Sequence, residues 1–263
     1  MSRVPEASAR PRRGQWTYTF VSLGAVFALW TVLGAFLPEN LLPGPAPAFR
    51  ALRHSIESGL FARALLATLS HLVAGTALAV SLGVVIGVLM GRVGVVEALL
   101  KDVVAVAQTI PGLIIVTLAI IAFKMTSTGI VSVAFFFGLP NVVVTVWQGT
   151  RNVDPNLLEM ARVYEHSELS AMRRVILPAI LPDIVTALRV CVGILWHVTL
   201  FAEFIMGQQG FGYQISLALA SFEVADIFAW GFTVVVLMIL MEYGLLRPLE
   251  RALLGWKPRA QRA

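Results

Sequence analysis

Residues 65–90 read LLATLSHLVAGTALAVSLGVVIGVLM and contain no Asp, Glu, Lys or Arg. That run exceeds the ~20 apolar residues an α-helix needs to cross the hydrocarbon core of a bilayer. Lipid offers backbone N–H and C=O groups no partner, so such a segment must satisfy them internally, as a helix does. Gly75, Ala79, Gly83, Gly87 and Gly91 recur every four residues along it. Small residues at that spacing let two helix backbones approach closely. The stripe is expected to pack inside one subunit rather than to mark a dimer or sliding interface.

Outward from this run, five further apolar stretches of similar length appear: Trp16–Leu37, Leu99–Phe123, Gly129–Gly149, Leu181–Met206 and Ile227–Leu246. The chain has 263 residues, is 58% hydrophobic and only 13% charged, more apolar surface than a water-facing shell can hide. The fold class is therefore all-α, a polytopic membrane protein with six transmembrane helices. Residues 1–15 form a basic amino-terminal tail, 16–250 the transmembrane domain, and 251–263 a basic carboxyl-terminal tail. The first apolar stretch is too long for the core of a signal peptide and no small-residue cleavage site follows it, so it is expected to remain as a helix.

Charge sets the orientation. With the amino terminus inside, fifteen Lys and Arg fall in inner segments and only Arg50, Arg53, Arg63 and Lys124 in outer ones; Arg189, within a span, completes the twenty. Positive residues concentrate on the cytoplasmic side of membrane proteins, so both termini are expected there. The net charge of +5 does not point to nucleic acid, because the basic residues are scattered in short stretches between spans. The single cysteine, Cys191, excludes a disulfide framework, and no metal-ligand spacing is present.

The inner connection at residues 150–180 is longer than the others. Asp154-Pro155 supplies an N-cap and a proline suited to the first helical position. Leu157, Leu158, Ala161 and Tyr164 then recur at helical spacing, with Glu159, Arg162 and Glu165 pointing elsewhere, which predicts a short amphipathic helix. Ser167 is expected to cap a second helix through Arg174, ended by Leu177-Pro178. The mixed charges argue for a protein partner rather than lipid head groups.

Glu159-Met160-Ala161, then Glu165, then Val175-Ile176-Leu177-Pro178 resembles the cytoplasmic signature of permease subunits of ATP-binding-cassette importers: E-A-A, three residues, G, nine residues, I-x-L-P. Met160, Glu165 and Val175 depart from that pattern, Glu165 standing where the family has a glycine at a turn. Further matches resemble the nitrate, sulfonate and taurine branch: Gly149-Thr150-Arg151-Asn152-Val153-Asp154-Pro155, Ala187-Leu188-Arg189, Ala202-Glu203, Gly210-Phe211-Gly212-Tyr213, Leu249-Glu250-Arg251 and Trp256. The resemblance implies a type I importer permease in a bacterial inner membrane, acting as a homodimer. It further implies two copies of a cytoplasmic ATPase bound through a coupling helix, with Pro155, Leu158, Glu159, Ala161, Arg162, Tyr164 and Glu165 as the coupling residues. An extracytoplasmic binding protein would deliver a small anionic solute such as nitrate, a sulfonate or taurine; related permeases carry vitamin precursors. No catalytic residue, cofactor or metal is expected in this chain. None of its three lysines follows a glycine, so no Walker A motif is present, and ATP and Mg are assigned to the partner ATPase.

Polar residues inside spans are the candidates for a translocation pathway. Arg189, Gly193, Trp196, Leu200 and Glu203 share one helical face of the fifth span, with Arg189 and Glu203 separated by ~21 Å along the axis. Of these, Arg189, Trp196 and Glu203 are pathway candidates, whereas His197 is read as a satisfied interior histidine. Gln108 and Pro111 in the third span and Asn141 beside Pro140 in the fourth mark expected bends, which often line sites in transporters. Gly207–Tyr213 reads as an outer turn leading to a short helix ending near Phe222, facing the binding protein. An ion-coupled transporter would need midplane carboxylates, and only Glu203 lies well inside a span, with Asp183 and Glu242 near span ends. A membrane enzyme would need facing His and carboxylate clusters, and none is legible.

Overall fold

The computed structural model describes residues 15–164 and 167–253. Every regular element is helical, with no strand among the described residues. In chain order they are α1 (Gln15–Phe36), α2 (Pro45–Glu57), α3 (Leu60–Arg92), α4 (Gly94–Thr109), α5 (Gly112–Phe123), α6 (Ser127–Arg151), α7 (Pro155–Tyr164) and α8 (Glu168–Ala171). A π-helical segment, Met172–Ile176, leads into α9 (Leu177–Met206), followed by α10 (Phe211–Ala220) and α11 (Val224–Met241). A second π segment, Glu242–Leu246, then leads into α12 (Arg247–Leu253).

The core is the close pairing of α3 with α6. The small-residue stripe of α3 lies against Ala134, Gly138, Val142, Val146 and Thr150 of α6, themselves four residues apart. A Cβ added at Gly83 would stand 2.7 Å from Val142 Cγ1, and one at Gly87 2.9 Å from the Val143 carbonyl oxygen. The stripe thus packs inside the subunit, as expected. At Gly138 a third helix joins: an added Cβ there would meet Ala79 of α3 at 2.8 Å and Cys191 Sγ of α9 at 3.0 Å. Leu195 and Trp196 of α9 complete this buried centre.

Four helices among the described residues are long and apolar enough to cross a membrane: Leu60–Arg92, Ser127–Arg151, Met172–Met206 and Val224–Leu253. The expected third span is instead two helices, α4 and α5, meeting at 96°. Pro111 lacks an N–H and disfavours helical backbone at Ile110, which is extended (φ −66°, ψ 122°). The expected bend is therefore a full break, and the segment opens at Gly94 rather than near Leu99. Helix α1 occupies the place of the first expected span, with Gly24–Phe36 as its apolar part. By length and composition the described residues give four spans, or five counting the broken pair, against the six expected.

Two further differences have plain causes. The connection before α3 contains α2, whose amphipathic sequence presents no apolar run; Gly44 precedes it and Pro45 opens it. Leu177-Pro178 does not end a helix. Proline removes a donor and crowds the carbonyl four residues earlier, and here the chain widens its turn: Leu177 N–H bonds Met172 O across a π turn, and the helix runs on. The same device precedes Pro248, where Arg247 N–H bonds Glu242 O.

The α3–α6 contact generates the first prediction. Gly83→Val should destabilise the purified protein by about 1–3 kcal/mol through overpacking. Gly94→Ala, where nothing lies within 4 Å of the added carbon, should be neutral or slightly stabilising. Melting of the detergent-solubilised protein measures both.

Candidate functional site

The connection between α6 and α9 forms as its local chemistry dictates. Asp154 Oδ1 accepts the Asn156 backbone N–H at 2.9 Å, capping α7, with Pro155 at the first helical position. Val153, one residue before the cap, is buried in the main core and anchors the start of α7. Beyond it the side chains of Pro155, Asn156, Leu157, Glu159 and Met160 are exposed. Leu158, Ala161, Arg162 and Tyr164 complete the helix backbone, while Glu165 lies outside the described residues. Ser167 Oγ accepts Ser170 N–H at 3.1 Å and caps α8, as expected, although α8 is only one turn before the π segment. Helix α7 packs against that π segment, which continues without a break into α9.

At the opposite end of α9 a polar cluster is sealed inside the bundle. Glu203 is fully buried. Its Oε2 accepts Thr68 Oγ at 2.8 Å and the Gly212 N–H at 3.1 Å. His71 Nδ1 lies 2.8 Å from its Oε1. Phe211 N–H donates to Thr68 Oγ at 2.9 Å. The carboxylate thus staples α3, α9 and the turn into α10 together. Gly210 has φ +104°, and a side chain there would strike the Glu203 carboxylate, so glycine is required for both reasons. Low dielectric strengthens each of these bonds and makes any unpaired member costly. Sequence reading found Glu203 and the glycine turn but not Thr68 and His71. Their signal was two polar residues three apart on one face of an otherwise apolar run.

The expected pathway face of α9 is distributed differently. Trp196 and Glu203 are buried within the subunit and line no open space. Helical phase placed them correctly on one face, but that face meets α3 and α6. Arg189 donates to Glu250 Oε2 at 2.8 Å and is also hydrogen-bonded to Glu242 Oε1. Arg247 Nε reaches Glu242 Oε1 at 3.2 Å. His197, expected inside, is exposed on the opposite face with Thr186, Val190 and Phe201, its Nδ1 3.0 Å from the Gly193 carbonyl oxygen. Gln108 and Asn141 are brought together beside the Pro111 break, with Nε2 and Oδ1 3.5 Å apart. Gly112 packs on Phe137, one turn from Asn141. Among the described residues, no group of three or more His, Cys, Asp or Glu is placed to hold a metal ion.

Comparison with known proteins places this geometry. The family model described as "binding-protein-dependent transport system inner membrane component" matches residues 79–243. A probable ABC transporter permease protein of Brucella abortus is 30% identical over 91% of this chain and 94% of its own length. The putative aliphatic sulfonates transport permease protein SsuC of Bacillus subtilis is 29% identical over 97% of this chain and 92% of its own. The taurine transport system permease protein TauC of Escherichia coli is 26% identical over 99% of this chain and its whole length. Among solved structures, an inward-facing conformation of the MetNI methionine ABC transporter superposes with a TM-score of 0.64 at 18% identity. It covers 74% of this chain and 96% of the matched one, a likeness of fold.

The sealed cluster yields a stability prediction. Removing one member of a buried pair leaves the other uncompensated, so His71→Ala and Glu203→Ala should each cost about 3–5 kcal/mol. Both should lower the amount of folded protein in membranes and its melting temperature. His197→Ala should leave both unchanged.

Proposed function

Because this chain belongs to the family of binding-protein-dependent transport system inner membrane components, and is a permease subunit of an ABC importer, we propose that it couples to its ATPase through α7. The observation that carries the reading is the isolation of that helix. It is capped at Asp154, held by Val153 at its start and by the π segment behind it, and exposes Leu157, Glu159 and Met160. An amphipathic helix presented in this way suits a groove on a partner. Pro155, Leu158, Ala161, Arg162, Tyr164 and Glu165 belong to the same docking segment. Hydrolysis of Mg·ATP takes place in that partner, and this chain binds no cofactor or metal of its own.

Two copies of the chain assemble with two ATPases, and both termini lie in the cytoplasm. The turn at Gln208-Gln209 and helix α10 face outward, toward an extracytoplasmic binding protein. The cargo is a small anion: the relatives include permeases named for aliphatic sulfonates, taurine and bicarbonate. The side chains that remain suited to a pathway are Gln108 and Asn141 beside the Pro111 break. Broken helices present free backbone groups and polar side chains to a solute where intact helices present neither.

The docking reading is tested by co-purification. Glu159→Arg should weaken ATPase association roughly tenfold, the loss of one contact worth ~1.4 kcal/mol, with insertion and melting temperature unchanged; undiminished co-purification would remove α7 as the docking element. Orientation is tested by a reporter inserted near Gln209, expected outside, and one after Leu253, expected in the cytoplasm. Stimulation of ATP hydrolysis in the assembled importer, screened across ethanesulfonate, taurine, bicarbonate and nitrate, identifies the anion.

A further inference from the structure

Two charged clusters flank α9, and they differ in one decisive respect. The Glu203 cluster is sealed, so breaking it leaves a buried charge. The cluster around Arg189 is not: the side chains of Arg189 and Glu250 are each 35% exposed and that of Glu242 21%. Its two guanidinium groups and two carboxylates balance. Solvent-reached ion pairs contribute little to stability, which leaves open what this one is for.

Its position supplies the answer. Arg189 stands on α9, which is continuous with the π segment Met172–Ile176 against which α7 packs. At 1.5 Å per residue, Met172 and Arg189 are roughly 25 Å apart along one rod. Both acceptors sit on the last helix of the described chain: Glu242 opens the second π segment and Glu250 lies on α12. Arg247 holds Glu242 from the other side, its guanidinium 4.1 Å from the centroid of the Tyr243 ring. Around this cluster the helices meet through apolar side chains such as Leu246, Met238 and Met241. Apolar contacts are non-directional and permit sliding. A guanidinium bonded to two carboxylates has fixed geometry.

We propose that Arg189 is a positioning residue for ATP-driven transport: it clamps α9 to the C-terminal helix, so that displacement of α7 moves α9 and α12 as one body. This rests on the reading that α7 docks the ATPase. Arg189 therefore offers no free charge to an anionic solute; both ends of its guanidinium are engaged in the clamp. Motion received at the cytoplasmic end is shared between the two helices instead of being lost as slippage between them.

The test uses the full importer, with ATPase subunits, in lipid nanodiscs. Spin labels are attached to cysteines introduced at Asn156 on α7 and Leu249 on α12, in a Cys191→Ser background. Their separation is compared between nucleotide-free and vanadate-trapped states. With Arg189 present the separation should stay constant. With Arg189→Gln it should change between states, and the ratio of binding-protein-stimulated to basal ATP hydrolysis should fall about fivefold or more. Joining Arg189→Cys and Glu250→Cys with a bis-methanethiosulfonate linker should restore the ratio, and reduction should abolish it again, a reversal that a merely structural role would not show. A separation that behaves identically with and without Arg189→Gln, or a linker that restores nothing, overturns the clamp. If Glu159→Arg leaves co-purification of the ATPase undiminished, it is the α7 reading that fails, whatever the labels report.

Discussion

The backbone contact between α3 and α6 is the constraint on which the remaining structure depends. In lipid the hydrophobic effect gives helices no reason to associate, so they are held by close packing. Close packing of long helices requires small residues in register on at least one of them. Gly75, Ala79, Gly83, Gly87 and Gly91 meet their counterparts on α6 along most of the length of the pair. Helix α9 then seats at Gly138, the point where α3, α6 and α9 touch. With these three placed, the broken pair α4–α5 packs on α6, α10 packs on α9 and α3, and α11 packs on α10 and α2.

Prolines shape what that core carries, and the surroundings decide how. Pro111 breaks a span outright, because glycine follows it and the extended backbone is accommodated against Phe137. Pro140 and Pro182 sit inside helices that continue. Pro178 and Pro248 are absorbed by π turns. One local rule, the missing donor and the crowded carbonyl, thus gives three outcomes. The π turns fall where α7 packs and where Arg189 meets Glu242, and π-bulges often recur at functional positions in proteins.

Charge is used in two ways along α9. Near its C-terminal end Glu203 is satisfied from three directions and fastens the turn into α10, a closed arrangement suited to holding a fold. Nearer its N-terminal end the Arg189 cluster is partly exposed and joins α9 to the last described helix. Both clusters stand on one long continuous helix from Met172 to Met206.

Much of this was legible in the residues themselves. Apolar runs, the basic-residue bias, the small-residue stripe and the Asp154-Pro155 start of α7 are local or periodic signals, and the physics that makes each one acts within a few turns of chain. The identity of polar partners is not local. Glu203 was visible as an in-span carboxylate, yet its partners Thr68 and His71 lie 135 and 132 residues away. Arg189 was visible too, but only the packing of α12 on α9 brings Glu242 and Glu250 to it. Helical phase put Trp196 and Glu203 on one face and could not say that the face turns toward α3 and α6. The residues determined where most of the helices form. The tertiary structure decided which in-span charge is sealed, which is clamped and which polar pair stands beside the broken helix, because those outcomes depend on which distant helices close packing brings into contact.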